Sequence, residues 1–153
     1  MTPPTRTASE IADALLARDP PPPLVPARVF DPALAAEIEA ADAPALVKAG
    51  LHLLNDDLGA AHRLAQAHEG DPLADHWHAV IHRREGDYDN ARYWLRRLAG
   101  RPSVTAFYGP DPAAPGAFVE QCRRIGHGRD AGAEGRQRGE MAALLARAQA
   151  GLP

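Results

Sequence analysis

Two stretches of this chain, offset by thirty residues, carry the same marks in the same order. Ala49, His52, Asp57, Leu58, Ala61, Leu64, Gly70 and Pro72 correspond to Ala79, His82, Asp87, Tyr88, Ala91, Trp94, Gly100 and Pro102. Each half reads as a helix, a tight turn at an acidic residue, a returning helix with a small alanine at the close crossing, then a Gly and Pro stop. Units recurring at roughly 20 to 50 residues bury their apolar faces against their neighbours. The correspondence therefore predicts two stacked helical hairpins over 43–102, with the remaining segments covering them.

Composition agrees with that architecture. Ala and Leu carry most of the 45% apolar fraction, and only 5% of residues are aromatic. Unbranched side chains lose little rotamer freedom in a helix, so the expected class is all-α, a tetratricopeptide-like stack of two repeats capped by flanking helices, about seven or eight helices in all. At 153 residues the chain fits one domain, 1–153, since domains cluster at roughly 100 to 150 residues. Within it, 1–30 holds a first helix from about Ser9 to Arg18, with Ser9 as N-cap and Ile11, Leu15 and Leu16 inward, followed by a proline strap over 19–26. Asp31-Pro32 opens a short, mostly exposed helix through Leu34, Ile38 and Ala41. The hairpins place helices at about Asp57 to Glu69 and Leu73 to Glu85. Over 103–153 the chain loosens: a loop at Tyr108 to Gly116, a helix near Ala117 to Ile125, a glycine-rich surface loop at Gly126 to Gly135, and a last helix from about Gly135 to Ala150.

Charge and cysteine usage exclude several classes. A net charge of −3 without a basic block disfavours nucleic acid, and no apolar run approaches the roughly 20 residues that cross a bilayer. Cys122 is the single cysteine, so no intramolecular disulfide forms, and the first residues lack the apolar run of a signal peptide. A reducing cytoplasm is the expected location. Lys48 stands alone against sixteen arginines, a bias that a genome's codon composition accounts for better than anion recognition does.

Gly86-Asp87-Tyr88-Asp89-Asn90-Ala91, with Ala79 seven residues upstream of Gly86, resembles the turn and small-residue pattern of a tetratricopeptide repeat. The likeness covers Ala43 to Pro102, with a period shorter than that family's and with Asp75, His78 and His82 where it places apolar core residues. The longer string Trp77-His78-Ala79, His82-Arg83-Arg84-Glu85, Asp87, Asn90-Ala91, Tyr93-Trp94 and Arg96-Arg97 resembles a family of uncharacterised helical proteins of bacteria and fungi. That resemblance implies no activity.

The segment from Leu73 to Leu98 concentrates the groups that stack, titrate and donate. On its first helix Leu73, Trp77, Val80 and Ile81 form the apolar stripe, while Asp75, His78, His82 and Glu85 share the adjoining face. Lys48, His52 and Asn55 repeat the polar theme in the first hairpin. His62 and Gln66, four apart on the intervening helix, point toward His78 and His82 in a two-layer stack. Histidines at i and i+4 can share one ion, and Glu85, three residues on, could supply a third ligand to zinc, manganese or iron. The alternative is a hydrogen-bonded polar seam. Arg83-Arg84 and Arg96-Arg97 present guanidinium forks suited to carboxylate or phosphate. Tyr93 and Trp94, about 100° apart on a helix, cannot face the same core, so one of them is expected at an interface. Cys122 reads as core and His127 as exposed.

Two functions follow as expectations. The first is a binding module that takes a peptide, a partner protein or a second copy of itself in a groove lined by His62, Gln66, Asp75, His78, His82, Arg83 and Arg84. The second is a small metal-binding or acid/base enzyme using His78, His82, Glu85 and His62, with a divalent metal as the possible cofactor. No phosphate loop, nucleophile elbow, dinucleotide fingerprint or paired-cysteine motif is present, which removes the common catalytic classes.

Overall fold

The computed structural model describes residues 5–153. Among these, nine helices and no strand are found: α1 (Ala8–Leu16), α2 (Pro32–Ala40), α3 (Ala45–Leu54), α4 (Leu58–Ala67), α5 (Pro72–Arg84), α6 (Tyr88–Arg97), α7 (Pro102–Tyr108), α8 (Ala114–Ile125) and α9 (Ala131–Ala150). The protein is all-α. The pairs α3/α4 and α5/α6 are antiparallel hairpins, and α4 lies against α5.

The thirty-residue offset reappears as backbone geometry. Asp57 and Asp87 each cap the returning helix with nearly the same dihedrals, φ −93° and ψ 77° against φ −94° and ψ 74°. Each also donates its N–H to the carbonyl of the corresponding histidine, His52 or His82, at 2.9 Å. The preceding turn residue takes positive φ in both: Gly86 at 78° and Asp56 at 59°. Glycine adopts this region without cost, and aspartate is among the few other residues that tolerate it.

Helix α5 is the centre of the molecule, with every residue from Leu73 to Arg84 buried. One face packs Trp77, Val80 and Ile81 into a core shared with Ile11, Leu15, Ile38, Leu51, Met141 and Leu145, which come from α1, α2, α3 and α9. There α3 approaches so closely that a Cβ on Gly50 would lie 2.7 Å from the Trp77 ring and 3.2 Å from Leu145. A second core gathers Leu24, Leu98, Val104, Tyr108, Phe118 and Cys122. Leu24 extends from the proline strap, which is therefore anchored at its apolar residue.

The edges differ from expectation for local reasons. Thr7, not Ser9, caps α1: its hydroxyl accepts from the Glu10 N–H at 3.1 Å, and Glu10 accepts the Thr7 N–H at 2.7 Å. The first helix stops at Leu16, short of Arg18, and Leu16 is only partly buried. Helix α2 is as expected, with the Asp31 carboxylate accepting from Ala33 and Leu34, and it buries Leu34 and Ile38 while most of its other residues are exposed. Pro102 starts α7 instead of loosening the chain. Asp130 caps α9, which starts at Ala131, four residues before Gly135, so Gly132 and Gly135 are helical.

Candidate metal centre

His78 and His82, one helical turn apart on α5, hold their rings nearly parallel, 8° between planes and 5.5 Å between centroids. His62 enters from α4 edge-on to both, with its centroid 4.9 Å from that of His78 and 5.4 Å from that of His82. One nitrogen from each of the three rings lies within 4.8 Å of the other two. Trp94, from α6, stacks on His78 at 4.7 Å and 18°. It is 7% exposed and faces inward, so of the two adjoining aromatics Tyr93, at 44%, is the exposed one.

The cluster is walled on one side and open on the other. His78 and His82 are buried, whereas the side chains of His62 and Glu85 are 32% and 33% exposed. Glu85, the C-cap of α5, straddles the two helices: Oε1 lies 3.4 Å from Nδ1 of His62, and Oε2 lies 3.3 Å from Nδ1 of His82. Asp87 Oδ2 stands 3.8 Å from the same His82 nitrogen. The contact with His82 holds the Glu85 carboxyl below the usual carboxylate range against partial burial, with His62 adding to the effect. Burial, then the proximity of His62 and His82, pushes the His78 imidazole below its ordinary value. His78 is therefore neutral at neutral pH, the form that ligates metal.

Three neutral imidazoles can hold a borderline divalent ion. Nitrogens sharing an ion at about 2.1 Å lie about 3.4 Å apart, so small side-chain rotations close this cluster around zinc, copper, iron, cobalt or nickel. An all-nitrogen set does not suit calcium or magnesium, which take oxygen ligands.

The other expected site residues are placed differently. His62 stands in the donor cluster, and Glu85 stands outside it. Gln66 is exposed one turn along α4. Asp75 accepts the Gly70 N–H at 3.0 Å and so fastens the α4–α5 turn. Arg83 and Arg84, expected to line the groove, are 1% and 0% exposed. Arg83 meets Glu140 at 2.8 Å, and Arg84 meets Asp56 at 2.6 Å while donating to the carbonyls of Pro23 and Leu53. Neither is free for a ligand, because each is held by a buried acid from a distant helix or turn. Lys48, His52 and Asn55 tie α3 to its N-terminal side: Lys48 donates to the Glu39 carbonyl, His52 pairs with Glu39 at 3.1 Å, and Asn55 donates to the Asp31 carbonyl. Arg97 covers the Tyr93–Trp94 pair, donating to the Tyr93 hydroxyl at 2.9 Å.

Sequence reasoning missed the second polar cluster on α5. His76 Nε2 lies 3.0 Å from Glu140 Oε1, its Nδ1 lies 2.9 Å from Ser103 Oγ, and the Tyr108 hydroxyl donates to Glu140 at 2.8 Å. His76 and Glu140 are separated by 64 residues, so no local spacing announces the pair. A cleft of about 700 Å³ between α6, α7 and the 109–116 segment is lined by Leu95, Val104, Pro112 and Pro115, and includes none of the clustered histidines. No known family model, curated protein or solved structure matches the chain.

Proposed function

We propose that this protein binds a divalent transition-metal ion among His62, His78 and His82. The observation that carries the reading is the convergence of three imidazole nitrogens within 4.8 Å from two packed helices. The electrostatics support it, because a buried His78 next to two other imidazoles resists protonation and keeps its lone pair available. The hairpin pair, which resembles tetratricopeptide repeats, then serves as a rigid scaffold that brings donors from α4 and α5 together. A peptide-binding groove is less well supported, since it needs Arg83 and Arg84 at the surface and both are internal.

An ion held by three neutral ligands keeps its positive charge, polarises a bound oxygen and lowers the pKa of a bound water. Calorimetric titration of metal-free protein with Zn²⁺ and Co²⁺ tests the reading. One equivalent should bind to the native chain. His62→Ala and His78→Ala should each weaken binding at least about 100-fold while helicity stays unchanged. Equal binding by the native protein and the two variants, or no binding of either ion, would overturn it.

A further inference from the structure

Glu85 invites assignment as the fourth ligand, since it follows His82 by three residues on the same helix. The geometry gives it another task. Both of its oxygens are engaged, one on each side of the α4–α5 seam, and both engagements are with Nδ1: His62 at 3.4 Å and His82 at 3.3 Å. A small ring rotation turns each contact into a hydrogen bond. An imidazole that donates Nδ1–H to a carboxylate carries its lone pair on Nε2, and carboxylates placed behind ligating histidines fix tautomer and orientation in this way. Were Glu85 to ligate the ion directly, an oxygen would have to leave one of these nitrogens, and His62 has no other acidic contact to replace it among the described residues.

We infer that Glu85 is the positioning carboxylate of a three-histidine site, accepting Nδ1–H from His62 and His82 so that both present Nε2 to the ion. The remaining coordination position, on the solvent side, then takes water or a small exogenous anion. This rests on the metal-binding reading above. The open side is where His62 and Glu85 are one-third exposed, while His78 and His82 form the buried wall. The acidic groups facing the cluster are Glu85, Asp87 behind His82, and Glu69 and Asp75 acting on His78 from farther off. None of these is in the donor cluster, so the charge of the ion is not cancelled by a bound carboxylate, and an anion is the favoured additional ligand.

Long-range proton–nitrogen NMR on the ¹⁵N-labelled full chain reads imidazole tautomers directly. Without metal, His62 and His82 should be Nδ1–H tautomers. One equivalent of Zn²⁺ should move their Nε2 resonances and leave Nδ1–H in place. Glu85→Ala should mix the tautomers and weaken Zn²⁺ binding about 10- to 100-fold, the usual effect of losing such a partner. Glu85→Gln, which keeps one acceptor oxygen, should weaken it less. The visible spectrum of the Co²⁺ protein should respond to azide in the native chain and in Glu85→Gln. Nε2–H tautomers in the native chain, Zn²⁺ bound through Nδ1 of His62 or His82, or abolished Co²⁺ binding in Glu85→Gln would overturn the positioning role. A Co²⁺ spectrum indifferent to azide would overturn the open position. Nδ1–H tautomers in a protein that binds neither ion would overturn the metal reading and the ligand position, leaving only the hold of Glu85 on the two rings.

Discussion

Arg83 and Arg84 are neighbours in sequence, yet they end in separate buried networks, and the difference shows what each carboxylate does. Glu140 is fully buried; burial alone would raise its pKa, but Arg83, then His76, override that and hold it at about 2. Because the folded value lies below the ordinary 4.5, the paired carboxylate contributes stability that is fully present above about pH 4.5 and is lost as pH falls toward 2. Acid titration of the fold by circular dichroism should show this limb, and Glu140→Gln should flatten it. The same substitution leaves the Arg83 guanidinium buried without a counter-charge, which costs about 3 to 5 kcal/mol in chemical denaturation. Little of this was legible in the sequence. Arginines in the last turn of a helix usually reach solvent, and the acids that hold this pair lie far along the chain, 28 residues away for Asp56 and Arg84. The His78–His82 pair was legible because helical periodicity alone puts residues four apart on one face.

The two hairpin turns have the same form but use different chemistry. Gly86 takes positive φ with no side chain, whereas Asp56 takes it with a carboxylate that meets Arg84 at 2.6 Å and Arg18 at 3.0 Å. Asp56→Gly removes a backbone cost of about 1 kcal/mol or less and also strips both guanidinium groups of their partner. The second effect is larger, so the variant should lose several kcal/mol of unfolding free energy, read as a lower denaturant midpoint. Asp87→Ala, which removes the cap on the Asn90 N–H together with an exposed contact to the Asn90 amide and the 3.8 Å approach to His82, should cost about 1 kcal/mol. A smaller loss for Asp56→Gly than for Asp87→Ala would show that the buried ion pairs contribute nothing net. The turns themselves were readable, because Asp57, Asp87, Gly70 and Gly100 recur at one offset. Helix α7 was not, since it has seven residues and no side-chain cap at Arg101, and its one start signal, Pro102 at the first position, reads equally as a stop for the preceding hairpin. The early start of α9 was hidden by Gly132 and Gly135, whose low helix propensity is outweighed by the Asp130 cap and by packing of Ala133.

The fold hangs on α5, which supplies the Trp77 core on one side, the His76–Arg83 network on another and the histidine cluster toward α4 and α6. His62 is the only member of that cluster from α4, so an ion bound there would cross-link the returning helix of the first hairpin to the opening helix of the second. Binding to the folded state alone stabilises it by mass action, about 2.7 kcal/mol when free ion stands at 100 times the dissociation constant. Zn²⁺ should therefore raise the thermal midpoint of the native protein and leave that of His62→Ala nearly unchanged. Hydrogen exchange locates the effect: amides of α4, held otherwise by the small residues Ala61 and Ala65 and by partly buried Leu58 and Leu64, should gain more protection than those of α5, which is already buried along its length. Equal gains along every helix would instead describe an ion that stabilises only through global unfolding, without the α4–α5 cross-link.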